Sequence, residues 1–179
     1  MDLDKKTVAV MTVSDSRSAD KNKTDVSGEL ICKMVKEAGY EVVSYQLISD
    51  DFQAIKQTLL HACYQKIALV LTTGGTGLSP RDQTPEATKA ILEKEVSGIS
   101  EAMRHHSMQI TPRAMLSRGV SGIRGQSLII NLPGSPKAVR ENLSFILPTL
   151  HHGLAILQQE VGECAEPDVS DNVSTINKM

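Results

Sequence analysis

The apolar residues alternate along the chain between short continuous runs and helical stripes. Residues 8–13 and 67–71 are almost entirely apolar, which is typical of strands buried on both faces. Between them, apolar residues recur every three or four positions over 25–39, and this spacing predicts an amphipathic helix. Strands separated by helices of this length need parallel crossovers. The pattern therefore predicts an α/β, three-layer, Rossmann-like fold with a mostly parallel central sheet.

The same two patterns, continuous apolar runs for strands and apolar residues at helical spacing for helices, predict the remaining elements. In chain order these are a strand at 40–48, a helix over 52–60, a helix with Thr84 as N-cap and Pro85 at its first position, a helix at 99–108 and a strand at 128–132. Ser135 and Pro136 form a second such pair, and we expect their helix to end near Leu147, before a separate last helix over 149–159. Residues 114–123 show no clear pattern.

Length and composition describe one ordinary globular domain. The chain has 179 residues, 40% of them hydrophobic, and no Pro/Gly/Ser-rich linker divides it. We expect one domain over 1–159 and a polar, flexible tail over 160–179. A net charge of -2 and only five aromatic residues argue against nucleic acid as a partner. No apolar stretch approaches the ~18 residues of a membrane span.

The number and spacing of the cysteines indicate whether the protein belongs in a reducing or an oxidising compartment. Cys32, Cys63 and Cys164 are odd in number, lie far apart and lack the spacing of zinc ligands. The amino terminus has the pattern of a first strand and not that of a signal peptide. We therefore expect free, mainly buried thiols in a protein of the reducing cytoplasm.

Four polar or glycine-rich clusters each follow a predicted strand. In chain order they are Ser14-Asp15-Ser16, Ser49-Asp50-Asp51, Thr72 to Gly77, and Leu132 to Ser135. In an open parallel sheet, ligands bind at the carboxyl ends of the strands, so these clusters would meet in one crevice. A single polar loop is common for structural reasons alone, whereas four at one edge point to a binding site.

The glycine-rich loop after the third strand has the sequence TTGGTG. Its glycines allow tight turns that present backbone N–H groups, and its threonines add hydroxyl donors. It is neither a P-loop nor a dinucleotide-binding motif. The residues it offers to an anion are Thr73, Gly74, Gly75, Thr76 and Gly77.

Asp82 follows that loop and admits two interpretations. A bare carboxylate beside a phosphate would repel it unless a cation lay between them, which makes Asp82 a candidate Mg²⁺ ligand. Alternatively, Asp82 is a turn residue that pairs with Arg81.

The segment NLPGSPK at 131–137 ends a strand and starts a helix. Backbone N–H groups, the Ser135 hydroxyl and the Lys137 ammonium would meet at a helix N-terminus, which suits a second anion. A plain capping motif explains the same residues. The adjacent histidine pairs, His105-His106 and His151-His152, lack metal-ligand spacing and are expected to have surface or packing roles.

Three segments together carry a family resemblance. TTGGTGLSPRDQTPEAT, AMLSRGVSGIRG and INLPGSPKAV, in this order, resemble the MoaB/Mog family of molybdenum cofactor biosynthesis over residues 6–158. The resemblance implies a molybdopterin-binding fold. For active members it implies Mg²⁺- and ATP-dependent adenylylation of molybdopterin, with release of pyrophosphate.

The resemblance also assigns roles to individual residues. The essential acids, which would hold the Mg²⁺, fall on Asp50 and Asp82, and the functional serine falls on Ser117. Ligand contacts are implied for Ser14, Asp15, Ser16, Gly74 to Gly77, Pro133, Gly134 and Ser135. One segment departs from the family pattern, because SADKNKTDVSG keeps Asp25, Ser27 and Gly28 but has charged residues before them.

Two functions remain open at this point. The chain is either an adenylyltransferase or a non-catalytic molybdopterin-binding scaffold of the same pathway. The intact PRD, MLSR and NLPGSP segments favour the enzyme. The resemblance further implies a homotrimer or homohexamer and transient contact with the enzyme that inserts molybdate.

Overall fold

A computed structural model describes residues 6–20 and 23–159 of the chain. Its centre is a six-stranded sheet with the order β2-β1-β3-β6-β5-β4. The strands are β1 (Thr7–Val13), β2 (Glu41–Ile48), β3 (Leu69–Thr73), β4 (Lys94–Glu95), β5 (Ser121–Arg124) and β6 (Ser127–Leu132). The first four in spatial order are parallel, and β5 and β4 run antiparallel at one edge.

Helices connect the strands and cover both faces of the sheet. They are α1 (Asp15–Ser18), α2 (Val26–Glu37), α3 (Phe52–Tyr64), α4 (Thr84–Lys89), α5 (Ser97–Met108) and α6 (Pro136–Leu157), with a 3₁₀ turn at Pro112–Leu116. Residues such as Val10 and Leu71 pack against α2, α5 and α6. Their neighbours Met11 and Val70 point to the other face and pack against α3 and α4. This period-2 alternation of buried residues produces the three layers and confirms the expected fold class.

Several predicted element boundaries agree with the structure. Asp25 is the N-cap of α2, where its carboxylate accepts a hydrogen bond from Gly28 N at 3.1 Å, and Gly39 follows the helix with φ +89°. Ser135 caps α6 by accepting a bond from Ala138 N at 3.2 Å. None of the helices in the described part of the chain combines the length and apolar character needed to cross a membrane.

Two predictions about elements were wrong. The final two helices are one, because α6 continues through Pro148 to Leu157. The N-cap of α4 is Gln83, so Thr84 is the first helical residue and its hydroxyl is buried. The segment without clear pattern contains the 3₁₀ turn and β5. The predicted tail over 160–179, with Cys164, lies outside the described residues.

We expect Pro148→Ala to stabilise the protein. Pro148 is exposed inside α6 and lacks the N–H that would bond the Ser144 carbonyl. Replacement restores that bond and improves helix propensity, so urea unfolding should show a gain of about 1 kcal/mol. Thr149→Ala, at the next exposed position, is the control without this backbone effect. A loss of stability in Pro148→Ala would mean that the packing of α6 requires the proline.

Candidate active site

The four polar clusters meet at the carboxyl edge of the sheet, as their positions predicted. Hydroxyl groups bind the loops together there: Thr73 Oγ1 donates to the Pro133 carbonyl at 2.7 Å, and Ser27 Oγ donates to the Gly134 carbonyl at 2.9 Å. The loops after β3 and β6 and the start of α2 therefore form one surface. In the loop after β1, Ser14 and Ser16 have their hydroxyl oxygens 3.3 Å apart.

Asp15 and Asp50 hold each other in place across neighbouring strands. Asp15 N donates to Asp50 Oδ2, and Asp50 N donates to Asp15 Oδ1, both at 2.9 Å. The second oxygen of Asp15 accepts bonds from the Arg81 guanidinium, with Nε at 3.0 Å. Both Asp15 oxygens are thus engaged within the chain, which its assignment as a ligand contact did not anticipate.

The two carboxyl groups differ in their electrostatic surroundings. The hydrogen bond from Arg81, helped by the Asp50 backbone N–H, lowers the pKa of Asp15 below its ordinary value of 3.8. Burial raises the pKa of Asp50 above 3.8, and the negative charges of Asp15 and Asp82 reinforce that rise against the Asp15 N–H bond. Asp50 is therefore a carboxylate that a cation would stabilise.

Asp82 is oriented by the glycine-rich loop. Its Oδ2 accepts a hydrogen bond from Gly77 N at 2.7 Å, and its own N–H donates to the Ser79 carbonyl at 2.9 Å. Its ion pair with Arg81, one of the two interpretations above, does not form, because Arg81 binds Asp15 instead. The bonds aim the Asp82 carboxylate back at the loop that the sequence identified as an anion site.

Arg118 joins the two ends of this loop, and the sequence analysis did not single it out. Its Nε donates to the Gly77 carbonyl and its Nη2 to the Asp82 carbonyl, each at 2.6 Å, while Nη1 pairs with Glu86. Arg118 also follows Ser117 in the chain. Its guanidinium therefore fixes Asp82 relative to Ser117.

The glycines of the TTGGTG loop are required by close approach. Gly74 has φ +96°, and a side chain there would collide with the Val13 carbonyl. Gly75 has φ +62°, and a side chain there would meet the Thr84 hydroxyl and lie 2.9 Å from Asp50 Oδ1. These positions keep the backbone of the loop against β1 and Asp50.

A cavity of about 290 Å³ opens beside the acidic residues. Its walls come from the glycine-rich loop, α5, the 3₁₀ turn, the end of β6 and the start of α6. They include Thr76, Gly77, Ser107, Ser117, Pro133 and Asn142. Gly77 therefore belongs to the cavity and also binds Asp82. This one space is lined by three residues with expected substrate contacts, Thr76, Gly77 and Pro133, and by the expected functional serine, Ser117.

The residues present suit a cation shared with a polyanionic substrate. In the hydrogen-bond network of the described residues, Asp50 Oδ1 and Asp82 Oδ1 have no donor, whereas each partner oxygen is bound. Over 6–20 and 23–159, no group of three acidic, histidine or cysteine side chains could hold a metal alone. Mg²⁺ often uses one or two carboxylates with phosphate oxygens and water completing its shell, so the donor set fits.

We expect Arg118→Ala to loosen the loop over 77–82. Two carbonyls and Glu86 would lose their donors, and a charged hydrogen bond contributes about 2 kcal/mol, so urea unfolding should show a loss near that value. Amide exchange of residues 77–82 should accelerate. Arg140→Ala, an exposed arginine of α6, is the control. Unchanged exchange in Arg118→Ala would contradict the positioning role.

Comparison with known proteins places this geometry in a family. A family model described as a probable molybdopterin binding domain matches residues 9–152. A molybdopterin adenylyltransferase from Helicobacter pylori strain J99 is 40% identical over 146 residues, which cover 80% of this chain and 82% of that protein. Gephyrin from Dictyostelium discoideum is 40% identical over 163 residues, and the chain spans only 23% of gephyrin's length.

The fold has close counterparts among solved structures. The molybdopterin biosynthesis enzyme MoaB from Thermus thermophilus superposes with a TM-score of 0.79 at 44% identity, covering 86% of this chain and 96% of that one. The expected resemblance is therefore confirmed. The chain belongs to the molybdopterin-binding MoaB/Mog family of molybdenum cofactor biosynthesis.

Proposed function

We propose that this chain is a molybdopterin adenylyltransferase. In the proposed reaction, a phosphate oxygen of molybdopterin attacks the α-phosphorus of ATP. The bond between that phosphorus and the oxygen bridging to the β-phosphate breaks, and pyrophosphate leaves with the bridging oxygen. The product is adenylyl-molybdopterin. The family membership and the relative named for this activity support the assignment.

One observation carries the proposal: the cavity and the acidic residues adjoin at Gly77. Its backbone lines the cavity and its N–H binds Asp82. Two polyanions must meet for adenylyl transfer, and positioning them is most of the catalytic task. We place the terminal phosphate of molybdopterin at the cavity beside Ser117 and the ATP phosphates at the edge near Asp50 and Asp82.

The residues would divide the work as follows. Asp50 and Asp82 would hold Mg²⁺, which when bound neutralises charge on the triphosphate. Backbone N–H groups of the glycine-rich loop, Gly134 and Ser135 would bind phosphate oxygens. The Ser117 hydroxyl, whose oxygen accepts a 3.4 Å bond from Gly119 N, would orient the pterin phosphate.

A non-catalytic scaffold is the alternative that the sequence left open. It would need only the cavity, whereas the chain also has two carboxylates, Asp50 and Asp82, that are close enough for their charges to interact and that each keep one oxygen without a donor among the described residues. We therefore favour the enzyme. We further propose a homotrimer or homohexamer, transient contact with the molybdate-inserting enzyme, and a cytoplasmic location, where Cys32 and Cys63 would stay free thiols.

Calorimetry of ATP binding tests the proposal. Variants of the two acidic residues make the test specific for the metal site. At fixed ionic strength, wild type should bind ATP with Mg²⁺ and much more weakly without it. Asp50→Asn and Asp82→Asn keep an oxygen that can accept the existing backbone bonds, so the fold should persist. Each should weaken Mg²⁺-dependent ATP binding about tenfold or more, because neutralising a carboxylate removes a metal ligand.

Asp51→Asn is the matched control for these variants. Asp51 adjoins Asp50 in the chain, but its carboxylate caps α3 by accepting a 2.8 Å bond from Ala54 N. Its neutralisation removes no metal ligand and should not weaken Mg²⁺-dependent ATP binding. If Asp51→Asn and Asp50→Asn weakened ATP binding equally, the cause would be a general change of surface charge and not the loss of a metal ligand. ATP binding that is undetectable with Mg²⁺ present would favour the scaffold.

The raised pKa of Asp50 predicts the pH dependence of that binding. As pH falls toward this pKa, which lies above 3.8, Asp50 gains a proton and loses its value as a cation ligand. Mg²⁺-dependent ATP affinity should therefore decrease on the acid side. Asp50→Asn should flatten that part of the profile. An identical acid-side decrease in Asp50→Asn would assign the titration to another group.

The 133–135 segment gives an independent prediction for the phosphate contacts. Ser135→Ala removes the cap of α6 and should cost about 1 kcal/mol of stability with a modest loss of ligand affinity. Gly134→Val should weaken ligand binding severely, since a Cβ there already lies 3.3 Å from Gly74 Cα and would block the backbone. Small equal stability losses with unchanged molybdopterin and ATP affinity would leave capping as the segment's role.

A further inference from the structure

Arg81 lies against Asp15 at the acidic edge, the part of the sheet's carboxyl edge that carries Asp15, Asp50 and Asp82. Its Nε and Nη2 both donate to Asp15 Oδ2. Its side chain is 69% exposed, so the pair is open to competing anions. An exposed ion pair of this kind adds little to stability. Fold stability therefore gives a weak reason for an arginine at this position.

The fork of Arg81 has the geometry that suits phosphate. Its Nε–H and one Nη–H point in parallel and can bind two oxygens of a phosphate group, whereas they now share the single oxygen Asp15 Oδ2. The backbone on either side is fixed: Arg81 N donates to Ser79 Oγ at 3.2 Å, and Asp82 N donates to the Ser79 carbonyl at 2.9 Å. Exchanging the partner of Arg81 requires only side-chain rotation.

The surroundings of Arg81 explain why a free anion would not simply displace Asp15. The negative charges that act on Arg81 are those of Asp15, Asp50 and Asp51. An incoming phosphate would be repelled by these carboxylates unless it arrived with a cation. Mg²⁺ on Asp50 and Asp82 would be that cation, so the inference rests on the proposed function.

We propose that Arg81 is a phosphate-binding residue that releases Asp15 and binds the β- and γ-phosphates of Mg-ATP. The same contact would then stabilise pyrophosphate as it departs. Asp15 keeps its remaining oxygen on the Asp50 backbone N–H during the exchange, so the Asp15–Asp50 pair stays in place. In the absence of nucleotide, Asp15 holds Arg81 at the edge and limits nonspecific anion binding.

Binding of pyrophosphate tests the proposal without requiring turnover. Calorimetry at fixed ionic strength would compare wild type, Arg81→Ala and Arg81→Lys, each with Mg²⁺ and with EDTA. We expect Arg81→Ala to weaken Mg-pyrophosphate binding about tenfold, and Arg81→Lys to recover only part of it because lysine lacks the fork. Arg140→Ala should match wild type. Equal affinity of Arg81→Ala and wild type for Mg-pyrophosphate would overturn the proposal.

A double-mutant cycle with Asp15→Asn isolates the exchange itself. Asparagine keeps an oxygen for the Asp50 N–H but no longer pairs with Arg81 as an ion. Removing a negative charge will tighten anion binding in any background. Release of Arg81 adds a further severalfold tightening that only a chain with Arg81 can show. An Asp15→Asn effect of the same size in the wild-type and Arg81→Ala backgrounds would contradict the exchange.

The outcomes separate this inference from the proposed function. If wild type binds Mg-ATP and Mg-pyrophosphate but Arg81→Ala binds both as well, the role of Arg81 is wrong and the adenylyltransferase assignment stands. If wild type binds neither with Mg²⁺ present, both fail. Melting temperatures near that of wild type would show that the substitutions at the exposed Arg81 and the half-buried Asp15 leave the fold intact.

Discussion

The reciprocal hydrogen bonds between Asp15 and Asp50 are the interaction on which the acidic edge depends. They join the ends of the parallel strands β1 and β2 and hold two carboxyl groups close together despite their repulsion. Arg81 offsets part of that charge at Asp15. Among the described residues, Asp50 forms no ion pair; the Arg81 charge acts on it only weakly, and burial raises its pKa. The free chain therefore holds an excess of negative charge at this edge, which suits the cation that we propose for the site.

The other half of the site is organised by backbone geometry. Gly74 and Gly75 adopt positive φ angles that keep the loop close to β1 and Asp50, and Thr73 and Ser27 bind it to the segment after β6. Arg118 then closes the loop at Gly77 and Asp82. Cavity and acidic residues thus share one rigid loop. This continuity gives the adenylyltransferase more support than a scaffold, which would not need it.

Local sequence signals predicted most of the fold because they act over a few residues. Asp25 and Gly39 mark the ends of α2, and the apolar runs of β1 and β3 are characteristic of buried strands. The prediction of a helix end near Leu147 was wrong because Pro148 usually ends a helix. Here the buried Leu147 and Leu150, on either side of the proline, stabilise α6 as one continuous helix. Strand β4 was missed because its two-residue pairing with the distant β5 leaves no periodic pattern. Strand β5 was missed because its four residues, SGIR, include a single large apolar side chain.

The positions of the site residues were predictable from strand ends, whereas their partners were not. Arg118 binds the Asp82 carbonyl across 36 positions of sequence, and Arg81 binds Asp15 across 66. Neither bond has a local signature, and adjacency in the sequence suggested instead that Arg81 would pair with Asp82. The family motifs did contain both arginines. Only the folded chain shows that one positions a loop while the other faces the acidic edge.

Direct detection of the product is the most decisive measurement for this account. The purified chain would be incubated with molybdopterin, ATP and Mg²⁺, and the products analysed by mass spectrometry with pyrophosphate measured in parallel. We expect adenylyl-molybdopterin and pyrophosphate in equal amounts, with both lost in Asp82→Asn. Firm molybdopterin binding without either product, under conditions in which an active adenylyltransferase of the family turns over, would contradict it.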